Sequence, residues 1–443
     1  MIKHLVGKRV VQATLVLAPA ALLAQAGGEA RSISLSEAIR LAQVNQPSTL
    51  QARNALRTGE SSVRSQMLGF LPSLSVSQSA NQRGGTTLVQ GVPLPLTGNP
   101  WSYGRSLSFG QVVLFDGLQR WDNYRTAQAN LTVSEANVVT QQYAVALNVK
   151  TAYYNIVTSR EQEAAAQRQL EQAQQQLAVA TAKMNAGSAT RTDSLTAAIS
   201  IGNARQAILS AQNATRNAEA QLTRYVATEY TVTAAPADTG DVTPLGMDEA
   251  TLMRMALEGP AVRQATAQLA AAQATSRAAH ASYFPRLTVS GSYGQTMPSS
   301  KTFQLNGGDG ASTTSTSLNF GLSYTLFDNY SRETQIVSSR VGLENADAGL
   351  RDAKFAAQQN LTTYLNNFQT AMMSIELNKL QITSAEENLR VVQQQYNLGT
   401  KQLLDLLTAQ TALDNARTSL IQSRQTARLA KANIEALIGQ DLK

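Results

Sequence analysis

Leu114-Phe115-Asp116-Gly117 and Leu326-Phe327-Asp328-Asn329 stand 212 residues apart, and the same interval carries Asn185-Ala186-Gly187 onto Asn397-Leu398-Gly399 and Asp193 onto Asp405. Asn148 and Asn155 likewise land on Asn360 and Asn367. Upstream, Phe70-Leu71-Pro72 meets Tyr283-Phe284-Pro285 at 213, so one residue separates the blocks. A unit this long marks a duplicated domain, not a solenoid repeat. The sequence therefore divides into residues 27–229 and 246–443, joined by a connector at 230–245. Thr231–Thr243 within that connector is rich in Ala, Thr, Pro and Asp and has no helical period.

Each copy runs helix, strand, strand, long helical hairpin. Ser34, followed three residues on by Glu37, forms a capping box, and helix follows to about Gly69 with a break near Pro47. At Pro72 and Pro285 helix gives way to strand, because the residue before proline disfavours the helical region. Alternation places strands at about 72–84, 104–115, 285–297 and 316–327. In the last of these, Leu318, Phe320, Leu322, Tyr324 and Leu326 face one way and Asn319, Gly321, Ser323 and Thr325 the other. Arg83–Pro100 and Gln295–Thr316, rich in Gly, Pro, Ser and Thr, read as loops, as does Gly307-Gly308-Asp309-Gly310. Trp101 and Tyr103 suit an interfacial aromatic belt or an ordinary strand end equally well.

After Asp116 and Asp328, each placed to serve as an N-cap, the hairpins occupy 118–228 and 330–438. Asp122 to Asn185 contains no Pro or Gly, roughly 95 Å of helix at 1.5 Å per residue. Leu170, Ala173, Leu177, Ala180 and Met184 keep a 3-4 spacing, as do Ile382, Ala385, Leu389, Val392 and Tyr396. Leu406, Ala409, Leu413, Ala416, Leu420, Ser423, Ala427, Ala430, Ile434 and Leu437 extend it over four heptads, which implies left-handed supercoiling. Gly187 and Gly399 stop the first helix of each hairpin, and Ser188 or Thr400 is placed to cap the second.

Composition excludes much. The 443 residues contain no Cys and two His, His4 and His280, so thiolate zinc sites, cysteine nucleophiles and Ser–His–Asp triads have no material. No phosphate-binding glycine loop or HExxH is present, and neither cofactor nor metal is expected. Residues 1–26 read as a secretory signal peptide: Lys3, Lys8 and Arg9, the apolar stretch Val10–Leu23, then Ala24-Gln25-Ala26. Without Lys3, Lys8 and Arg9 the net charge falls from +7 to +4, with basic residues scattered, so nucleic acid is not an expected partner. No later run of 18 apolar residues exists, so any membrane span must be β.

Four strands cannot close a barrel, because unpaired backbone edges are prohibitive in lipid. Two chains give eight strands and three give twelve, wide enough for a lumen. A half-buried sheet in water shows the same alternation. A secreted coiled-coil filament protein, also free of Cys and rich in Gln, Asn, Ala and Thr, is the second class of reading. Duplication and the export signal count against it. An enzyme is the weakest, since the titratable groups lie on coiled-coil faces.

Taken together, the export signal, the duplicated unit, the proline-marked joints, the LFDG and LFDN exits and Tyr-Asn-Leu-Gly-Thr-Lys-Gln-Leu-Leu-Asp-Leu-Leu-Thr-Ala at 396–409 resemble the TolC family of outer-membrane efflux ducts. The likeness spans essentially the whole chain after residue 26. It implies a mixed α+β fold, mainly α, in which coiled-coil hairpins build a periplasmic α-barrel and four strands per chain enter a trimeric transmembrane β-barrel. It also implies a homotrimer in outer-membrane lipid, an equatorial collar built from chain near the termini and the connector, and a duct opened by a periplasmic adaptor and an inner-membrane transporter. Carried over by position, Tyr396 and Lys401 would bond Asp193 and Thr192 to latch the periplasmic end, and Asp405 would ring the pore. An arginine is usual at the place of Lys401, and Lys lacks its bidentate fork. Thr408 stands where a second aspartate can occur. Independently of the resemblance, Asp193 and Asp405 are acids near helix starts, where they complement the dipole. Asn185, Gly187, Asn397 and Gly399 mark the hairpin tips where an adaptor would dock, or plain structural turns.

Overall fold

A computed structural model describes residues 30–82, 84–95, 101–236, 242–300, 303 and 312–442. The signal-peptide segment and the Gly307–Gly310 loop lie outside the described residues. The chain begins with a short strand, β1 (Arg31–Ile33), and two helices, α1 (Leu35–Asn45) and α2 (Pro47–Leu68). Strands β2 (Leu74–Gln82), β3 (Thr86–Val89), β4 (Val92–Pro95) and β5 (Trp101–Phe115) follow, then the hairpin α3 (Gln119–Asn185) and α4 (Arg191–Val226). After β6 (Val232–Ala234) the plan recurs: α5 (Glu249–Leu257), α6 (Pro260–His280), β7 (Arg286–Ser300), β8 (Thr313–Ser323), α7 (Ser331–Asn397) and α8 (Leu403–Ile438). Matching helices have matching lengths, 67 residues for α3 and α7, 36 for α4 and α8. Among the described residues no helix is long and apolar enough to cross a membrane.

The helices form a single-layer wall. α3 and α7 run its whole length, about 100 Å each. On the side of the strands the order is α2, α3, α6, α7; on the far side it is α4, α3, α8, α7. Pro47 and Pro260 occupy first-turn positions in α2 and α6, where a missing N–H costs nothing. The heptads decide what is buried. α4 buries Ala197, Ala204, Ala211 and Ala218 at strict seven-residue intervals, and α3 buries Ala166, Ala173 and Ala180. α8 buries Leu406, Ala409, Leu413, Ala416, Ala427, Ala430 and Ile434. Small residues at the seam let the helix axes approach closely.

Where the long helices change neighbours, a core collects β1, β6, α1 and the middle of α3. β1 and β6 pair in parallel, Ile33 against Ala234. Tyr153 on α3, fully buried, donates its hydroxyl to Ile33 O at 3.2 Å and accepts from Ala235 N at 3.0 Å. Beside it the Lys150 ammonium contacts Glu435 at 2.6 Å and Asp441 at 2.8 Å, and Leu442 N donates to Glu435 at 3.0 Å. The C-terminal residues are thus pinned to the centre of α3.

The sheet β2-β5-β7-β8 is antiparallel and open on both sides, with β2 and β8 at its edges. Register gives its two faces opposite character. Leu74, Phe109, Gly291 and Leu318 share one row, and Val76, Leu107, Tyr293 and Thr316 the next. The opposite face carries Ser75, Ser108, Ser292, Ser317 and then Ser77, Ser106, Gly294, Ser315. Hydroxyls bridge neighbouring strands there, Ser77 to Ser106 at 2.7 Å and Ser292 to Ser317 at 2.8 Å. The apolar rows lie bare: Val76 is 81% exposed and Leu322 73%.

Several expectations need correction. The Arg83–Pro100 loop contains the hairpin β3–β4, whose Gln90 and Gly91 both take positive φ, 51° and 79°, as a tight primed turn requires. β8 ends at Ser323 instead of residue 327, because its ladder partner Arg286 is where β7 starts. Asp116 and Asp328 are not N-caps; that position falls to Leu118 (φ 71°) and Tyr330 (φ 68°). Each aspartate acts from two residues earlier, accepting from the main-chain N of Arg120 (3.3 Å) or Arg332 (3.0 Å) and pairing with the same guanidinium. Those arginines also donate to Val113 O and Thr325 O, closing the strand-to-helix corner. Gly117 (φ 66°) completes the first corner, and a Cβ there would lie 2.5 Å from Phe284.

The ion cluster predicts a pH signature. Burial lowers the Lys150 pKa, but the hydrogen bonds it donates to Asp441 and Glu435, with their negative charge, outweigh it and the net position is above 10.5. A raised lysine contributes its stability fully below that value and loses it as pH climbs through the folded pKa. Melting curves should show this contribution unchanged through neutral pH and failing in strong alkali. Lys150→Met should destabilise by about 3 kcal/mol, leaving Glu435 buried without its cation.

Candidate functional site

The tips of the two hairpins gather the residues singled out by sequence. At the first, Gly187 takes φ 76°; its N–H reaches Met184 O at 3.0 Å and Ser188 N reaches Lys183 O at 2.9 Å. At the second, Gly399 takes φ 80°, with Gly399 N on Tyr396 O at 3.1 Å and Thr400 N on Gln395 O at 3.0 Å. Both turns use a left-handed glycine to satisfy the last carbonyls of the helix. Ser188 and Thr400 do not cap the following helices as expected. Their hydroxyls fold back onto Lys183 O (3.1 Å) and Gln395 O (3.0 Å), because the chain needs two further residues before helix resumes. Thr190 and Gln402 are the N-caps. Asn185, Gly187, Asn397 and Gly399 are all exposed.

Asp193 and Asp405 occupy the third position of α4 and α8. Asp193 accepts from Thr190 N and Thr190 Oγ1, both at 2.9 Å, while Asp193 N donates back to Thr190 Oγ1 at 3.3 Å. Asp405 accepts from Gln402 N at 3.2 Å. Capping therefore engages both carboxylates without burying them. Lys401, just before the α8 N-cap, is exposed and lies 3.9 Å from Asp405 in the first turn of that helix, and Thr192 is exposed one residue before Asp193.

Tyr396 is different. It is 5% exposed, packed with Leu403 and Leu406 and edged by Val179 and Leu389. Its hydroxyl has no hydrogen-bond partner among the described residues. Burial first, and the negative charge of Asp193 second, raise its pKa above the ordinary 10.0. The two hairpins are thus close enough here to sense each other's charge. Lys183, not singled out by sequence, sits over the Tyr396 ring at 3.9 Å and donates to Tyr396 O. Its only sequence signal was a basic residue in the last turn of a helix.

Behind the tips, the seam between the hairpins is polar. Gln176 of α3 donates to Gln410 of α8, which donates to Gln172 at 2.8 Å. Further along the same seam Gln425 donates to Asn155 at 2.8 Å, and Arg428 lies 3.6 Å from Glu161. Seams of alanine and leucine bind each hairpin internally, and amides and ions bind one hairpin to the other.

A left-handed glycine and a helical one predict opposite signs. Gly187→Val should lower the melting temperature, since a β-branched residue at that φ costs about 1–2 kcal/mol. Gly202→Ala, in the interior of α4 with open space around its Cα in the single chain, should raise the stability of that chain by up to about 1 kcal/mol.

The family model described as outer membrane efflux protein matches residues 38–228 and again 252–440. Outer membrane protein TolC of Escherichia coli (strain K12) is 24% identical over 332 residues, 74% of this chain and 67% of that protein. Protein CyaE of Bordetella pertussis is 26% identical over 419 residues, covering 90% and 84%. A membrane protein from Pseudomonas aeruginosa superposes with a TM-score of 0.79 at 19% identity, over 91% of this chain and 93% of that one.

Proposed function

This chain belongs to the outer membrane efflux protein family, whose members are channels for efflux and secretion, and from that premise we propose that three copies assemble into one passive duct. It resides in the outer membrane and carries a long periplasmic helical portion. One observation carries the trimeric reading: an open four-stranded sheet with two unpaired edges and a bare apolar face. Joined edge to edge, three such sheets give twelve strands with every backbone group paired and the apolar rows toward lipid. The same operation joins three four-helix walls into a twelve-helix tunnel. Exposed apolar residues on the two flanking helices, Leu195 and Ile199 on α4 and Met373, Leu377 and Leu380 on α7, are then covered by the neighbouring copy.

The periplasmic end is the gate. Thr192, Asp193, Tyr396, Lys401 and Asp405 all lie beside the tips, and the contact of Lys183 with Tyr396 supports closure between the hairpins there. Three copies of Asp405 bring three carboxylates to one level of the axis and favour cations. A periplasmic adaptor engages the tips at Asn185, Gly187, Asn397 and Gly399, and an inner-membrane transporter supplies the energy. Opening parts the hairpins along the polar seam.

Single-channel recording in planar bilayers tests the assignment. Asp193→Ala and Lys401→Ala should each raise conductance, and Asp405→Asn should reduce cation preference. Cross-linking in membranes should trap a species of three chains; a monomer soluble in water without detergent defeats the reading.

A further inference from the structure

The gate set above was placed by sequence position; the structure singles out one more residue. Lys183 lies in the last turn of α3 and Tyr396 in the last turn of α7, so their contact spans the two hairpins at the tips. Three attractions coincide. The ammonium lies 3.9 Å from the ring centroid, within cation–π range. It donates to Tyr396 O, one of the final carbonyls of α7. It also brings positive charge to the C-terminal end of that helix, where the dipole is negative. Leu403 and Leu406 pack against the ring and hold it in place.

The duplication shows that the contact is directional. A shift of 212 places Lys183 over Gln395 and Tyr396 over Met184. The first copy therefore carries Lys-Met where the second carries Gln-Tyr, so neither copy holds both partners. Lys401, the cation expected from sequence position, instead pairs with Asp405 of its own hairpin. Because the Tyr396 hydroxyl has no hydrogen-bond partner among the described residues, the ring and the carbonyl form the link.

We propose that Lys183 is a closing residue of the channel, tying the end of α3 to the end of α7, and that the pore widens when this contact parts. The inference rests on the reading of the tips as a gate. The test uses the full-length trimer in planar bilayers with Lys183→Gln, Lys183→Met, Tyr396→Leu and Tyr396→Phe. Gln is the residue that the second copy bears at this place, so the helix accepts it.

Lys183→Gln, Lys183→Met and Tyr396→Leu should each raise open-state occupancy by roughly two- to five-fold. Tyr396→Phe, which keeps ring and carbonyl, should open less than Tyr396→Leu. Lys183→Met combined with Tyr396→Leu should add nothing to the stronger single change. Conducting parent channels with unaltered Lys183→Gln and Lys183→Met variants overturn the assignment of Lys183 alone. So does a Tyr396→Phe variant as open as Tyr396→Leu, which would move the link to the hydroxyl. A parent protein that forms no pores overturns the channel reading on which the inference stands.

Discussion

Backbone amides and carbonyls must find partners before a chain can remain in hydrocarbon, and the four-stranded sheet of this chain leaves two edges without them. β2 and β8 each pair on one side alone, yet the sheet they bound carries bare apolar residues such as Leu74, Val76, Leu318 and Phe320 on one face. In water such an edge would be blunted by charge, proline or a bulge. Here β8 reads Thr-Thr-Ser-Thr-Ser-Leu-Asn-Phe-Gly-Leu-Ser, with no charge or proline, as suits an edge that meets another copy of the chain. Everything else is arranged around holding these strands in register. The Asp116–Arg120 and Asp328–Arg332 corners set the direction in which each long helix leaves the sheet.

Below the strands the mechanics follow from two kinds of seam. Within a hairpin, alanines at seven-residue intervals let backbones approach and interlock, a contact that loses packing as soon as it slides. Between hairpins, Gln172, Gln176, Gln410, Asn155 and Gln425 exchange hydrogen bonds that water can replace at modest cost. A wall built this way separates along its polar joint sooner than within either apolar pair. The Lys150 cluster sits at the other end of that joint, with Glu435 and Asp441 holding α8 to α3.

Much of this was legible in the sequence, because the dominant signals are local and repeated. Alternation in Leu318–Leu322 and heptads in Leu406–Ile434 need no tertiary knowledge, and the 212-residue shift aligns one copy with the other. The filament alternative shares the heptads but not the strands, and the family match closes it. Turn chemistry was less readable. Ser188 and Thr400 looked like caps, yet the distinction between closing one helix and opening the next depends on two intervening residues. The β3–β4 hairpin was hidden by a turn of Gln-Gly, a weaker signal than Asn-Gly. Lys183 and Lys150 escaped altogether, since their partners lie 213 and 285 residues away and nothing adjacent announces them.

The serine rows on the second face of the sheet have a consequence for transport. Turned toward the axis of a closed cylinder, those two rows present hydroxyls and glycine without fixed charge, while Arg286 on the same face stands opposite Ser323 at the strand end. At the levels of those rows no charge would meet the cargo, so a choice by sign falls to the Asp405 level proposed at the tips. Hydroxyls also reorient freely, so a moving solute always meets a donor or an acceptor and is held nowhere for long.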